Sequence, residues 1–320
     1  MQVFRSLDEV PAQFGPTVLS VGNFDGVHRA HQQVVSHMAE RAHAIGGQAV
    51  VVTFEPHPLR ILRPDVAPKL LAPLPVKLKL LEQTRVDAVL VLPFTRDLSM
   101  MSAHDFAKIV LAETLHAREV HEGYNFHFGH KAQGNVNTLG ALGEELGFGV
   151  KIYSEQLLRG HHVSSSEIRK LIADGKVERA RALLGRPFCI VSNPGRGRGY
   201  GTQYTVPTVN LARYDELVPG NGVYITRALI NGECFDAVTN VGVRPTFGPD
   251  SFAIESHLLN FHPIELLAQT EVELIFLKRL RDEKKFESVE ALREQIGKDV
   301  ERAKRFFRMM ASLERRATSS

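Results

Sequence analysis

The chain has 320 residues, 43% of them hydrophobic, a net charge of +3 and only 2 cysteines. That length accommodates two domains with full cores, and the apolar fraction is that of a globular protein, not of a disordered or fibrous one. The small net charge gives no argument for a nucleic-acid partner, no apolar run approaches the ~20 residues of a membrane span, and Met1-Gln2-Val3-Phe4-Arg5 lacks a signal-peptide core; a cytoplasmic protein is expected.

In chain order, residues 18–21 have the composition of a buried strand, and Gly22 and Gly26 bracket the turn that follows. A helix is predicted over 28–44. Its first turn offers unpaired N–H groups and a partial positive charge, which together stabilise an anion. His28 and His31, three residues apart, share a helix face there, so both imidazoles can donate to one anion and, when protonated, add charge. An isolated H-x-x-H is commonly two ordinary helix-start histidines; the strand and glycine turn before it favour a phosphate site.

Further strands are predicted over 49–54 and 88–92, and helices over 76–83 and 103–115. Helices alternating with apolar strands imply a parallel sheet with ligands at its carboxyl ends, so the run Thr53-Phe54-Glu55-Pro56-His57-Pro58 faces the same cleft as the histidines. Tyr124-Asn125-Phe126-His127-Phe128-Gly129-His130 reads either as a half-buried edge strand or as an aromatic loop for a flat heteroaromatic ring, with Asn125 on its polar edge. At 164–169, Ser164 and Glu167 fit a helix capping box, and Arg169 sits one turn into the helix, within reach of a triphosphate.

The pattern changes near Gly185-Arg186-Pro187. Strands over 188–192, 206–211, 222–230, 233–241, 254–261 and 271–280, separated by turn signals such as Asn231-Gly232, argue for an antiparallel barrel or sandwich. A closing helix presents Leu292, Ile296, Val300, Ala303 and Phe307 as an apolar stripe against it. Cys189 and Cys234, without metal-ligand spacing, are expected to be reduced packing residues. The basic glycine loop Gly195-Arg196-Gly197-Arg198-Gly199-Tyr200-Gly201-Thr202 is equally a phosphate cradle or a linker. Thr208 and Asn210 share a strand face and suit Mg²⁺, though a plain surface strand explains them as well. Glu255 and His257 also share a face; a carboxylate there is commonly solvated, or else takes a proton from an attacking hydroxyl.

Together these motifs resemble the prokaryotic bifunctional riboflavin kinase and FAD synthetase family, in order from about Val18 to Phe307. Gly22-Asn23-Phe24-Asp25-Gly26-Val27-His28-x-x-His31 is similar to its nucleotidyltransferase signature, and 53–58 to its second motif. Residues 124–129 resemble its flavin loop, 164–169 its serine and arginine motif, and Pro207-Thr208-x-Asn210 its magnesium motif. Asn240-Val241-Gly242-x-Arg244-Pro245-Thr246-Phe247 and Glu255-x-His257-Leu258-Leu259 are similar to its flavin-side and catalytic-glutamate segments.

The resemblance implies an α/β Rossmann-like nucleotidyltransferase domain with a parallel sheet over 1–185, and an antiparallel β-barrel with a closing helix over 186–320. It implies phosphorylation of riboflavin by ATP in the barrel, then attack of the FMN phosphate on a second ATP to give FAD and pyrophosphate. In the first domain Gly22, Asn23, Phe24, Asp25, Gly26, His28, His31, Ser165 and Arg169 would bind ATP, with His28, His31 and Arg169 stabilising the transition state. His57, Asn125, Phe126 and Phe128 would bind flavin. In the barrel, Gly197, Arg198, Gly199, Gly201, Thr208 and Asn210 would bind ATP, Thr208 and Asn210 would hold Mg²⁺, and Asn240, Arg244 and Glu255 would bind flavin, with Glu255 as general base. Small-molecule substrates, no nucleic acid or membrane, and at most weak self-association are expected. Two departures stand out: Ala30 replaces a usual glycine, and Thr202-Gln203-Tyr204-Thr205-Val206 replaces a basic-Thr-Leu-Gly-aromatic run. The second leaves open an enzyme confined to FMN adenylylation; a non-catalytic flavin or nucleotide sensor is the further alternative.

Overall fold

The computed structural model describes residues 1–195, 208–243, 252–262, 264 and 266–318. Contacts divide the chain into two compact units, Met1–Glu167 and Ile168–Ser320.

The first unit is built on β1 (Gln2–Phe4), β2 (Thr17–Val21), α1 (Arg29–Ala44), β3 (Gln48–Glu55), α2 (Pro58–Leu62), α3 (Leu74–Glu82), β4 (Ala88–Pro93) and β5 (Ala117–Gly123), with a last strand at Gly149–Tyr153. These strands form one six-stranded sheet in the order β1, β4, β3, β2, β5, Gly149–Tyr153, parallel throughout. The expected strands over 18–21, 49–54 and 88–92 are all present, because each is apolar on both faces and a parallel sheet is covered on both. Val18, Val51 and Val89 pack under Val35, Met38 and Ala42 of α1 and Leu81 of α3. Leu19, Val50 and Leu90 alternate to the other face and pack with Phe106, Leu111 and Phe148. Each such side chain contributes roughly 1.5–3 kcal/mol on burial.

The helix expected over 103–115 forms with a change of winding: an α-turn at Ala103–Asp105 passes into a π-helix at Phe106–Thr114. From β2 the chain runs outward through β3 to β4, then returns across the sheet to β5, on the other side of β2. That reversal leaves a crevice at the carboxyl ends of β2 and β5, where open α/β sheets bind ligands.

Helix Ser165–Ala173 spans the boundary of the two units and Val177–Leu184 follows it. The second unit's sheet is antiparallel, in the order Phe188–Ser192, Val272–Arg281, Gly222–Ile230, Glu233–Val243, Phe252–Leu258, Thr208–Asn210. Its two outer strands are joined by a bridge between Pro194 and Leu211, with Gly195 N donating to Asn210 O and Ala212 N to Asn193 O, both at 2.8 Å, so the sheet closes on itself as a barrel. Inside it, Thr226, Thr239 and Ser256 form a buried hydroxyl chain with links of 2.6 and 2.8 Å.

The closing helix is Val289–Thr318. Ala303 and Phe307 pack on Val223, Ile225, Val238 and Leu277 as expected. Leu292 and Ile296 do not join them and are 38% and 41% exposed. Asp299 takes the inward position instead, 2% exposed, because Arg281 pairs with it at 2.8 Å. The two cysteines are free, Cys189 half-buried and Cys234 exposed, so only the first packs as expected. Among the described residues no helix is long and apolar enough to cross a membrane.

Candidate functional site

The crevice begins where β2 ends. Gly22 N donates to Val52 O at 2.9 Å, and the chain then turns through three left-handed residues, Phe24 (φ +46°), Gly26 (φ +77°) and Val27 (φ +40°). Gly26 adopts that conformation freely, whereas a β-branched valine held there stores ~1–3 kcal/mol of strain, a frequent mark of functional turns. Gly22 is not left-handed. A Cβ there would stand 3.3 Å from the Phe24 ring, which would have to give by a few tenths of an ångström. The Asp25 carboxylate is buried and accepts the N–H groups of Leu71 and Ala72 at 3.0 Å, so it fastens the turn to the rest of the unit and does not line the cavity described below. Ser165 Oγ donates to the Asp25 carbonyl at 2.9 Å.

His28 is the N-cap of α1, its Nδ1 accepting the His31 N–H at 3.4 Å. With Nδ1 accepting, the ring presents its N–H at Nε2. The two rings stack with centroids 3.6 Å apart and planes 15° from parallel, which places both histidines on one face as their spacing demanded. Burial, then His28 and Lys77, push the His31 imidazole well below its ordinary value. Protonation of this histidine, allowed for by the sequence, is therefore disfavoured; it acts as a neutral group. Its Nδ1 is buried with no hydrogen-bond partner among the described residues.

A cavity of about 1060 Å³ opens in front of these groups. Gly22, Asn23, Phe24, His28, Ala30, His31 and Ser165 form one part of its wall, and His57, Asn125, Phe126 and Phe128 another, with Phe54, Phe94, Leu98 and Met101 adding apolar surface. His57 caps α2 through Nδ1, which accepts Leu59 N–H at 3.2 Å, and so presents Nε2–H. Phe126 and Phe128 stack at 5.2 Å; Phe128 is buried and also belongs to the core beside Phe106. The aromatic run is thus mainly loop, with a two-residue strand at His127–Phe128. Gly26 is buried within the turn, and Arg169 lies in the second unit on helix Ser165–Ala173. The capping box is half formed: Glu167 N–H donates to Ser164 Oγ at 3.3 Å, but the Glu167 carboxylate bonds His161 at 2.9 Å instead.

Two buried ionisable groups, one in the cavity wall and one behind the turn, escaped sequence reasoning. Glu122, in the wall at the end of β5, accepts Val21 N–H at 2.5 Å, and burial pushes its carboxyl well above the usual range. Lys77, on α3, donates to Thr53 Oγ1 at 3.3 Å. Neither has a local sequence signal, since an isolated charge in an amphipathic segment ordinarily faces water.

In the second unit the strand register assembles another group. Asn210 pairs with Glu255 and Glu255 with Asn240; one step along, Thr208 pairs with His257 and His257 with Val238. Directly paired residues project to one face, so Thr208, Asn210, Glu255 and Asn240 share a surface, opposite the face of buried Val209, Ser256 and Thr239. Burial lowers the His257 imidazole. A hydroxyl, an amide and a carboxylate side by side are the hard oxygen donors that suit Mg²⁺. Gly197, Arg198, Gly199, Gly201 and Arg244, with the departure at 202–206, lie outside the described residues.

Residues 10–167 match the FAD synthetase family and residues 184–307 the riboflavin kinase family. A bifunctional riboflavin kinase/FMN adenylyltransferase of Pseudomonas fluorescens is 36% identical over 305 residues, covering 95% of this chain and 97% of that protein. One of Haemophilus influenzae is 35% identical, covering 96% and 99%. Among solved structures, a protein described as a macrolide-efflux protein from Streptococcus pneumoniae superposes with a TM-score of 0.85 at 24% identity, covering 94% of this chain and 98% of that one, and so shares the fold.

Proposed function

Since the chain belongs to the bifunctional riboflavin kinase/FMN adenylyltransferase family, we propose that residues 1–185 carry its adenylyl transfer and residues 186–320 its phosphorylation. The enzyme serves FAD biosynthesis: ATP phosphorylates riboflavin to FMN, and FMN is adenylylated to FAD. The observation that carries the residue assignment is the stacked His28–His31 pair at the helix start, opening on a cavity whose other wall is aromatic.

In adenylyl transfer, an FMN phosphate oxygen bonds to the α-phosphorus of ATP as the bond to the bridging oxygen breaks and pyrophosphate leaves. The N–H groups at the start of α1, with His28 Nε2–H and His31, donate to phosphate oxygens as charge develops on them. Gly22, Asn23, Phe24 and Ser165 border the ATP, Asp25 and Gly26 shaping the turn that holds them, and Arg169 is the guanidinium assigned with them to the triphosphate. His57, Asn125, Phe126 and Phe128 receive the flavin ring.

In phosphorylation, Glu255 takes the proton of the riboflavin 5′-hydroxyl as its oxygen bonds to the γ-phosphorus and ADP leaves. Thr208 and Asn210 would hold Mg²⁺, which when bound neutralises charge on the phosphate oxygens. Gly197, Arg198, Gly199 and Gly201 are assigned to ATP, and Asn240 and Arg244 to the flavin, by the family resemblance of their segments. The enzyme acts on small molecules in the cytoplasm, without nucleic-acid or membrane partners and with weak self-association at most.

The test is to incubate the full chain with Mg-ATP and either riboflavin or FMN, and to follow FMN and FAD by chromatography. Both conversions are expected; FAD from FMN without FMN from riboflavin would remove the kinase half.

A further inference from the structure

Lys77 is a buried charge that neither reaction uses. It lies on α3, 4% exposed, and within the described residues its ammonium makes one hydrogen bond, to Thr53 Oγ1 at 3.3 Å, and no ion pair. An ammonium carries three donors, and burying one with a single neutral partner is costly enough that such lysines are rarely found by accident. The Thr53 hydroxyl in turn donates to the carbonyl of Asn23 at 3.3 Å, inside the turn that precedes His28. Burial lowers the Lys77 ammonium from its ordinary value, and Asp25 and Glu55, acting through space, oppose that shift.

The electrostatics of the turn sharpen the point. A triphosphate brings several negative charges, and burial disfavours protonation of His31. The macrodipole of α1 and Lys77, linked to the turn through Thr53, set positive charge behind it.

We propose that Lys77 is a positioning residue for adenylyl transfer: through Thr53 its ammonium fixes the Asn23 carbonyl and the phosphate-binding turn, and it places positive charge behind that turn. The proposal rests on the placement of the ATP phosphates at this turn.

Lys77→Met in the full chain keeps the length of the side chain and removes the charge. FAD formation from FMN should fall about 10-fold or more in kcat, with KM for FMN held within about twofold, while riboflavin phosphorylation is unchanged and a urea unfolding profile matching that of the unsubstituted chain reports that the first unit is folded. A purely structural lysine would leave His31 untouched. Here the His31 resonance of histidine-labelled protein should titrate at higher pH, because burial, His28 from its own helix and Lys77 from α3 are what oppose its protonation. Thr53→Val, which cuts the link but keeps the ammonium, should slow FAD formation several-fold and leave the His31 titration in place. A normal rate of FAD formation in folded Lys77→Met, or an unmoved His31 titration, overturns the proposal. Should that variant not fold, a normal rate in Thr53→Val overturns it. Absence of FAD formation in the unsubstituted chain defeats the phosphate assignment itself.

Discussion

The carboxyl of Glu122 accepts the backbone N–H of Val21 at 2.5 Å, beyond the point where the ladder between β2 and β5 stops at Leu19 and Val120. A side chain here replaces a main-chain partner, so the two strands separate and open the crevice without leaving a buried donor unpaired. Burial keeps that carboxyl protonated well above the ordinary range. In the unfolded chain Glu122 ionises at its usual pH and in the fold only later, so stability is lost as pH rises between those two values. Glu122→Gln, which cannot ionise, should therefore have a higher Tm than the unsubstituted chain at pH 8 and an equal one at pH 4. Parallel Tm profiles would mean that Glu122 is ionised in the fold.

His31→Ala should lower FAD formation from FMN about 10²–10³-fold, the loss typical of one donor aimed at developing charge, and leave riboflavin phosphorylation unchanged. The two rates are read on one sample with FMN or riboflavin as substrate. Equal loss of both in folded protein would defeat the assignment of one reaction to each half.

The converse variant is Glu255→Ala. Loss of a general base should slow FMN formation about 10²–10⁴-fold and spare FAD formation from FMN. An unaffected kinase would place the proton acceptor elsewhere.

Asp299→Ala leaves the Arg281 guanidinium, 12% exposed, without its carboxylate partner. Stranding one member of a buried pair costs about 3–5 kcal/mol, read as a lower urea midpoint for loss of riboflavin phosphorylation. Replacing both residues by apolar ones, Arg281→Met with Asp299→Leu, should restore much of the midpoint. A single variant as stable as the parent would show that the pair contributes no net stability.

Sequence patterns carried what depends on local spacing. The apolar runs that became β2, β3 and β4, and the three-residue step from His28 to His31, are properties of neighbouring residues, and the structure reproduces them. What stayed hidden depends on partners distant in the chain. Lys77 meets Thr53 across 24 residues and Glu122 meets Val21 across 101, and neither pairing leaves a trace in either segment alone. The same reason explains the error at the closing helix, where Leu292 and Ile296 fit the apolar spacing but Arg281, from another strand, draws Asp299 inward. Gly22 is not left-handed, so its backbone does not demand a glycine; a Cβ there would press on the Phe24 ring from 3.3 Å, a contact between neighbours that spacing alone does not show.

The alignment of Asn210 with Glu255 and Asn240 makes the kinase face a matter of bookkeeping between strands as much as of side-chain chemistry. Thr208–Asn210 is a three-residue edge strand, and a slip of one residue would swing Asn210 into the barrel and send Val209 outward in its place. Leu211 N–H on Ile254 O at 3.0 Å and the Pro194 bridge are the fasteners that forbid that slip. Damage to those fasteners would silence phosphorylation while every residue of its chemistry remained in the chain.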